Sequence, residues 1–184
     1  GKTGTTDDAG YCFTSAYNRD GDEIYTVILN STTTDQRFTD TATLANWYYG
    51  HKVTVAIANT QEKTANGNPL MARVGQTDWT DKTIDATLAD PTAQATVFSL
   101  AGEVTEKVSY DDLSGTVHVG DKVGSVTLKQ DGNKIAVMDL VADEEGSGPN
   151  PIEWLLVKLD RLGRRIDNRP LVAESETVAK APKA

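Results

Sequence analysis

Two largely apolar runs, Tyr11 to Tyr17 and Glu23 to Leu29, are rich in aromatic and β-branched residues, with polar Asn18-Arg19-Asp20-Gly21 between them. Such runs have strand preference, and Asp-Gly between them supplies turn chemistry, so this stretch predicts a β-hairpin. A helical period comes next. After the polar stretch Asn30 to Asp35, the residues Phe38, Ala42, Ala45 and Tyr49 recur at helical spacing. They predict a helix over Gln36 to Tyr49, with Gly50 as its C-terminal cap.

From His51 the texture changes to short strands separated by Gly, Asn and Asp. Val53 to Ile57 and Thr83 to Leu88 alternate, and Val123 to Leu128 pairs naturally with Lys134 to Leu140 across Gln130-Asp131-Gly132-Asn133. This is the pattern of a small all-β unit, with a boundary near Gly50 to Lys52 and an exposed loop at Gln61 to Pro69. Helical periodicity returns only at Pro151 to Ile166. There Ile152, Leu155, Leu156, Leu159, Leu162, Gly163 and Ile166 share one face, while Lys158, Asp160, Arg161, Arg164 and Arg165 lie on the other, together with Trp154 and Val157. Beyond Arg169-Pro170 the Ala, Glu, Lys and Pro content predicts disorder. The expected organisation is α+β: residues 1–50 as sheet and helix, 51–146 as a β-rich domain, and 147–184 as an amphipathic helix with a disordered tail.

Composition narrows the function classes. The 184 residues carry a formal charge of −9, which argues against a nucleic-acid partner because phosphate binding needs a concentrated basic surface. Cys12 is the only cysteine, so no intrachain disulfide forms; it reads as a small buried hydrophobe, with a reactive thiol as the alternative. No apolar run approaches the ~20 residues of a membrane span. His51 and His118 sit apart and carry no expected catalytic role, and Asp143-Glu144-Glu145 reads as a solvated connector. No metal site is expected.

The chain opens Gly1-Lys2-Thr3-Gly4-Thr5-Thr6, and Ala9-Gly10-Tyr11-Cys12-Phe13, the hairpin and Gln36-Arg37-Phe38 come after it in order. This succession resembles the serine-type D-alanyl-D-alanine carboxypeptidases of the penicillin-binding protein superfamily. A weaker echo, Val119-Gly120-Asp121-Lys122-Val123-Gly124, is similar to a turn in the β-rich C-terminal domain of those enzymes.

The resemblance implies that residues 1–50 are the end of a penicillin-binding/β-lactamase-like sheet. It implies a serine acyl-enzyme reaction on the terminal D-Ala of peptidoglycan stem peptides, inhibition by β-lactams, no cofactor, and an extracytoplasmic place at the outer face of the bacterial cytoplasmic membrane. Lys2 would bring positive charge to the nucleophile and the substrate carboxylate, Thr3 a hydroxyl, and Gly4 an unobstructed backbone. The amide of Thr5 would serve as an oxyanion donor. Arg37 is either a further anion contact or a surface arginine at a helix start.

No Ser here has Lys three positions on, or Asn two positions on, so the S-x-x-K and S-x-N signatures are absent and this chain alone is expected to be inactive. A non-catalytic cell-surface spacer or interaction module is the alternative reading. A class A β-lactamase fragment is disfavoured because residues 51–145 have no place in one. Residues 1–50 without covering helices would expose apolar faces and a strand edge, so self-association or a partner polypeptide completing the sheet is expected. Residues 151–166, with four basic and two acidic side chains, either anchor to a membrane surface or pack on the β unit.

Overall fold

The structure is a computed structural model that describes residues 1–183. It divides into two units, Gly1–Val53 and Thr54–Ala184. In the first, β1 (Lys2–Thr6), β2 (Gly10–Arg19) and β3 (Asp22–Ser31) form an antiparallel sheet in the order β1-β2-β3, and α1 (Gln36–Gly50) comes after them. The β2–β3 turn is made by Asp20 and Gly21, both at positive φ (53° and 84°), and Asn18 Oδ1 accepts the Gly21 amide at 3.2 Å. Two successive positive φ values give the mirror-image turn whose twist matches a hairpin, which is why Asp-Gly was legible.

The helix packs on one sheet face. Under it Ser15 and Thr26 share a buried 2.8 Å hydroxyl bond, and the Phe13 and Phe38 rings meet edge-on at 5.0 Å. The Tyr49 hydroxyl donates to Asp22 O at 2.8 Å, and burial followed by the Asp22 charge raises its pKa. Gly50 is not the expected left-handed cap. The helix runs through it and ends at His51, whose amide donates to Tyr48 O at 3.1 Å and whose Nδ1 lies 2.7 Å from Trp47 O. The opposite sheet face is open: Tyr25, Val27 and Leu29 are exposed.

The second unit begins within β4 (Lys52–Ala56), which pairs with β7 (Gln94–Phe98). Its other strands are β5 (Ala72–Gly75), β6 (Thr83–Leu88), β8 (Val104–Tyr110), β9 (Lys122–Gln130), β10 (Asn133–Ala142) and β11 (Glu176–Thr177). They form one sheet in the order β11-β5-β6-β10-β9-β8. Its two edges approach each other, since the hydroxyls of Tyr110 on β8 and Thr177 on β11 share a hydrogen bond. The sheet is therefore nearly a barrel around Met71, Val74, Leu88, Val123, Val126, Leu128 and Leu140, all essentially inaccessible. The β9–β10 turn repeats the logic of the first hairpin, with Asp131 and Gly132 at φ 50° and 76°.

Two expectations give way here. Gln61 to Pro69 is the mostly exposed loop expected, but it is pinned at one point. Thr64 is buried and donates to Asp143 Oδ2, Asn68 Nδ2 donates to Asp143 Oδ1 at 3.0 Å, and Asn66 Nδ2 donates to Asp143 O at 2.6 Å. For the same reason Asp143-Glu144-Glu145 is no solvated connector. Asp143 is 6% exposed, Glu144 accepts the Asp85 amide at 2.8 Å, and Glu145 meets His118 Nδ1 at 2.9 Å. Residues 171–183 are ordered too, because β11 adds to the edge of β5 and backbone pairing supplies what their composition lacks.

Residues 151–166 do form a helix, α2 (Pro151–Ile166), capped by Asn150, whose side chain accepts the Ile152 and Glu153 amides at 3.0 Å while Glu153 returns to the Asn150 amide. Pro151 occupies the first turn, where a missing amide costs nothing. Its orientation inverts the usual rule. Val157, on the polar side, is the buried residue, and Arg161 Nη2 donates to Thr77 O at 2.6 Å. The apolar stripe faces solvent, from Ile152 at 74% exposed to Ile166 at 85%. Among the described residues no helix is long and apolar enough to cross a membrane.

Candidate active-site wall

The residues singled out at the start of the chain lie on an edge strand. β1 pairs only with β2, in the register Lys2 to Thr14, Thr3 to Phe13, Gly4 to Cys12 and Thr5 to Tyr11. Its other edge leaves backbone donors and acceptors unpaired, the arrangement to which an extended peptide can add. Gly10, at φ 63°, closes the β1–β2 turn against Asn30, where a Cβ would meet Asn30 Oδ1 at 2.5 Å, and Thr6 Oγ1 accepts the Ala9 amide at 2.9 Å. Gly4 differs. A Cβ there would meet nothing within 4 Å, so nothing in this unit requires glycine and the space above the backbone is open.

Arg37 is brought to the same place by the first turn of α1. It is 8% exposed, which removes the surface-arginine alternative, and its Nη1 donates to Thr5 Oγ1 at 3.3 Å. The guanidinium lies over Tyr11 and Phe38, 5.7 and 5.0 Å from their ring centres. Its Nε is buried without a hydrogen-bond partner, and no carboxylate of the described residues pairs with it. A cation held in this way is costly unless an anion completes it. Lys2, by contrast, is exposed and donates to the neighbouring Thr3 carbonyl.

Lys2, Thr3, Gly4 and Thr5 thus share one strand edge, and Arg37 joins them through Thr5. Tyr11 was missed by sequence reasoning. Its role as the ring under Arg37 comes from cross-strand pairing with Thr5, a relation visible only once the β1–β2 register is known. Cys12 is half-buried opposite Gly4, with Sγ donating to Ala9 O at 3.3 Å. His51 and His118 lie outside this cluster.

Residues 80–146 match the family described as Penicillin-binding protein 5, C-terminal domain, a span that takes in β6 to β10. Within that span the chain is similar to the C-terminal domain of penicillin-binding protein 5. Two solved structures are similar. One is the D-alanyl-D-alanine carboxypeptidase DacD from Francisella tularensis, at 22% identity over 80% of this chain and 36% of that one, with a TM-score of 0.39. The other is penicillin binding protein 5 from Haemophilus influenzae, at 18% identity over 79% of this chain and 42% of that one, with a TM-score of 0.41. The chain covers less than half the length of either.

Proposed function

We propose that residues 1–50 form one wall of a D-alanyl-D-alanine carboxypeptidase cleft, the end of a penicillin-binding/β-lactamase-like sheet, and that residues 54–166 hold that wall at a membrane surface. The observation that carries the first part is Arg37, a buried guanidinium whose Nη1 donates to Thr5 Oγ1 beside an open strand edge and whose Nε has no partner. In this reading the terminal D-Ala of a peptidoglycan stem peptide adds to the free edge of β1. Its carboxylate takes the Arg37 charge and the Thr3 hydroxyl, Gly4 leaves room for the peptide, and the Thr5 amide faces the oxyanion that develops on the scissile carbonyl. Lys2 contributes positive charge toward a serine that is not among these residues, and β-lactams occupy the same place. The Tyr25, Val27 and Leu29 face is covered by polypeptide outside this chain.

The second part rests on α2, whose apolar stripe is exposed and flanked by Lys158 and Arg165. A helix with one apolar and one basic face lies in the plane of an anionic bilayer with its apolar side down. The protein then works at the outer face of the bacterial cytoplasmic membrane.

Titrating the full chain with an N-acyl-D-Ala-D-Ala peptide tests the cleft reading by backbone amide shifts. Shifts grouped on residues 2–6 are expected. Shifts absent there, or spread evenly over both units, overturn it.

A further inference from the structure

We infer that residues 173–183 are a strap that fixes the direction in which α2 presents its apolar stripe. The helix has few attachments of its own. Val157 is its only buried side chain, Arg161 reaches Thr77 O, Asp160 accepts a side-chain hydrogen bond from Thr80, and the preceding segment is tied by Trp79 Nε1 donating to Ser147 O at 2.9 Å. Its far end is held by the chain beyond Ile166. The Arg169 amide donates to Arg164 O at 2.8 Å, and the Ala173 amide donates to Trp79 O at 2.9 Å.

From Ala173 the chain occupies the slot between the two sheet edges. On the β5 side, Ser175 Oγ accepts the Gly75 amide at 2.9 Å, Glu176 pairs with Arg73 and Thr177 with Ala72, and the Val178 and Ala179 amides both donate to Met71 O at 3.0 Å. On the β8 side, Thr177 meets Tyr110, and Ala181, Pro182 and Lys183 border a cleft shared with Glu103 and Val104. The segment therefore runs antiparallel to β8. Nearer its end, the Lys180 amide donates to Asn59 O at 3.1 Å and Asn59 Nδ2 donates to Ala181 O at the same distance. Ala173 and Ala179 are buried. Its Ala, Glu, Lys and Pro composition has little strand preference, so its order comes from the slot and is lost when the slot is denied.

Gly75 provides a specific way to deny it. A Cβ there would stand 2.7 Å from Ala173 C and closer still to Ala173 O, and its three nearest neighbours all belong to the strap. Glycine is needed for close backbone approach at this point, not for its φ. Gly75→Ala should expel the strap while leaving the β5–β6 pairing in place.

The use of a fixed helix direction rests on the membrane reading of α2, but the strap is tested in solution without lipid, so the two fail separately. Spin labels at Lys134, in the β9–β10 hairpin, and Arg165, on α2, are placed in the full chain carrying Cys12→Ala. A single narrow distance population is expected. It should be lost both in Gly75→Ala and in a chain ending at Pro170, with hydrogen-exchange protection of β9 and β10 retained in Gly75→Ala. A narrow population in either variant overturns the proposal. Loss of β9–β10 protection in Gly75→Ala also overturns it, since 173–183 would then be part of the core and not a strap.

Discussion

Replacing Leu155, Leu159 and Leu162 together by serine should weaken vesicle binding without weakening the fold. The three leucines are 55%, 56% and 58% exposed, so more than half of each is free of contact within the chain. Complete burial of a leucine side chain is worth about 2 kcal/mol, and slightly more than half of each remains to be buried in a bilayer interface. That gives about 1 kcal/mol per residue and about 3 kcal/mol for the three, close to a hundredfold in partition coefficient at about 1.4 kcal/mol per factor of ten. Sedimentation with anionic vesicles measures the partition, and a thermal melt of the same samples reports the fold. The expected outcome is a loss of roughly a hundredfold in binding with an unchanged melting midpoint. A partition coefficient within about threefold of the parent would refute the reasoning, as would a large drop in midpoint, which would mean that the leucines pack against protein.

Two further outcomes probe the β unit. Asp143→Ala removes the acceptor for Thr64 and Asn68 and leaves both donors in a mostly buried site, so a loss of about 2–4 kcal/mol is expected by chemical denaturation; a loss under about 0.5 kcal/mol would show that the loop is not held there. Glu106 on β8 has both carboxylate oxygens buried without partners, and burial raises its pKa above the ordinary glutamate range. Because the folded pKa is the higher one, the unfolded chain releases this proton first, and stability attributable to Glu106 falls as pH rises from the unfolded value through the folded one. Glu106→Gln should therefore gain stability relative to the parent as pH is raised through and above the ordinary glutamate range; a pH-independent difference would count against a buried, unpaired carboxylate.

The two Asp-Gly hairpins were readable because their turn requires two positive φ values that few other residue pairs tolerate. Helix α2 was readable as an element, since its period is local. Its orientation was not. A helical wheel separates two faces but does not say which one docks, and here Val157 and Arg161 bind the unit while the leucines stay outside. The same limit hid the strap, in which Glu176 and Thr177 become strand only through the edge of β5, remote from it along the chain. Asp143 read as solvent-facing because charge is usually exposed, yet the loop that covers it comes from residues 64–68. At the candidate cleft, the Lys2-Thr3-Gly4 triplet and Arg37 were named from motif order. Their meeting through Thr5, and the Tyr11 ring beneath the guanidinium, required the register of β1 on β2.

The cleft reading depends most on Arg37 as a waiting partner for a carboxylate. The direct measurement is the NMR resonance of the Arg37 Nε–H, tracked as N-acyl-D-Ala-D-Ala and its C-terminal carboxamide are added in parallel to the full chain. The carboxylate peptide is expected to shift this resonance and the Thr5 amide, and the uncharged carboxamide to shift neither. Equal shifts with both peptides, or none with either, would contradict it.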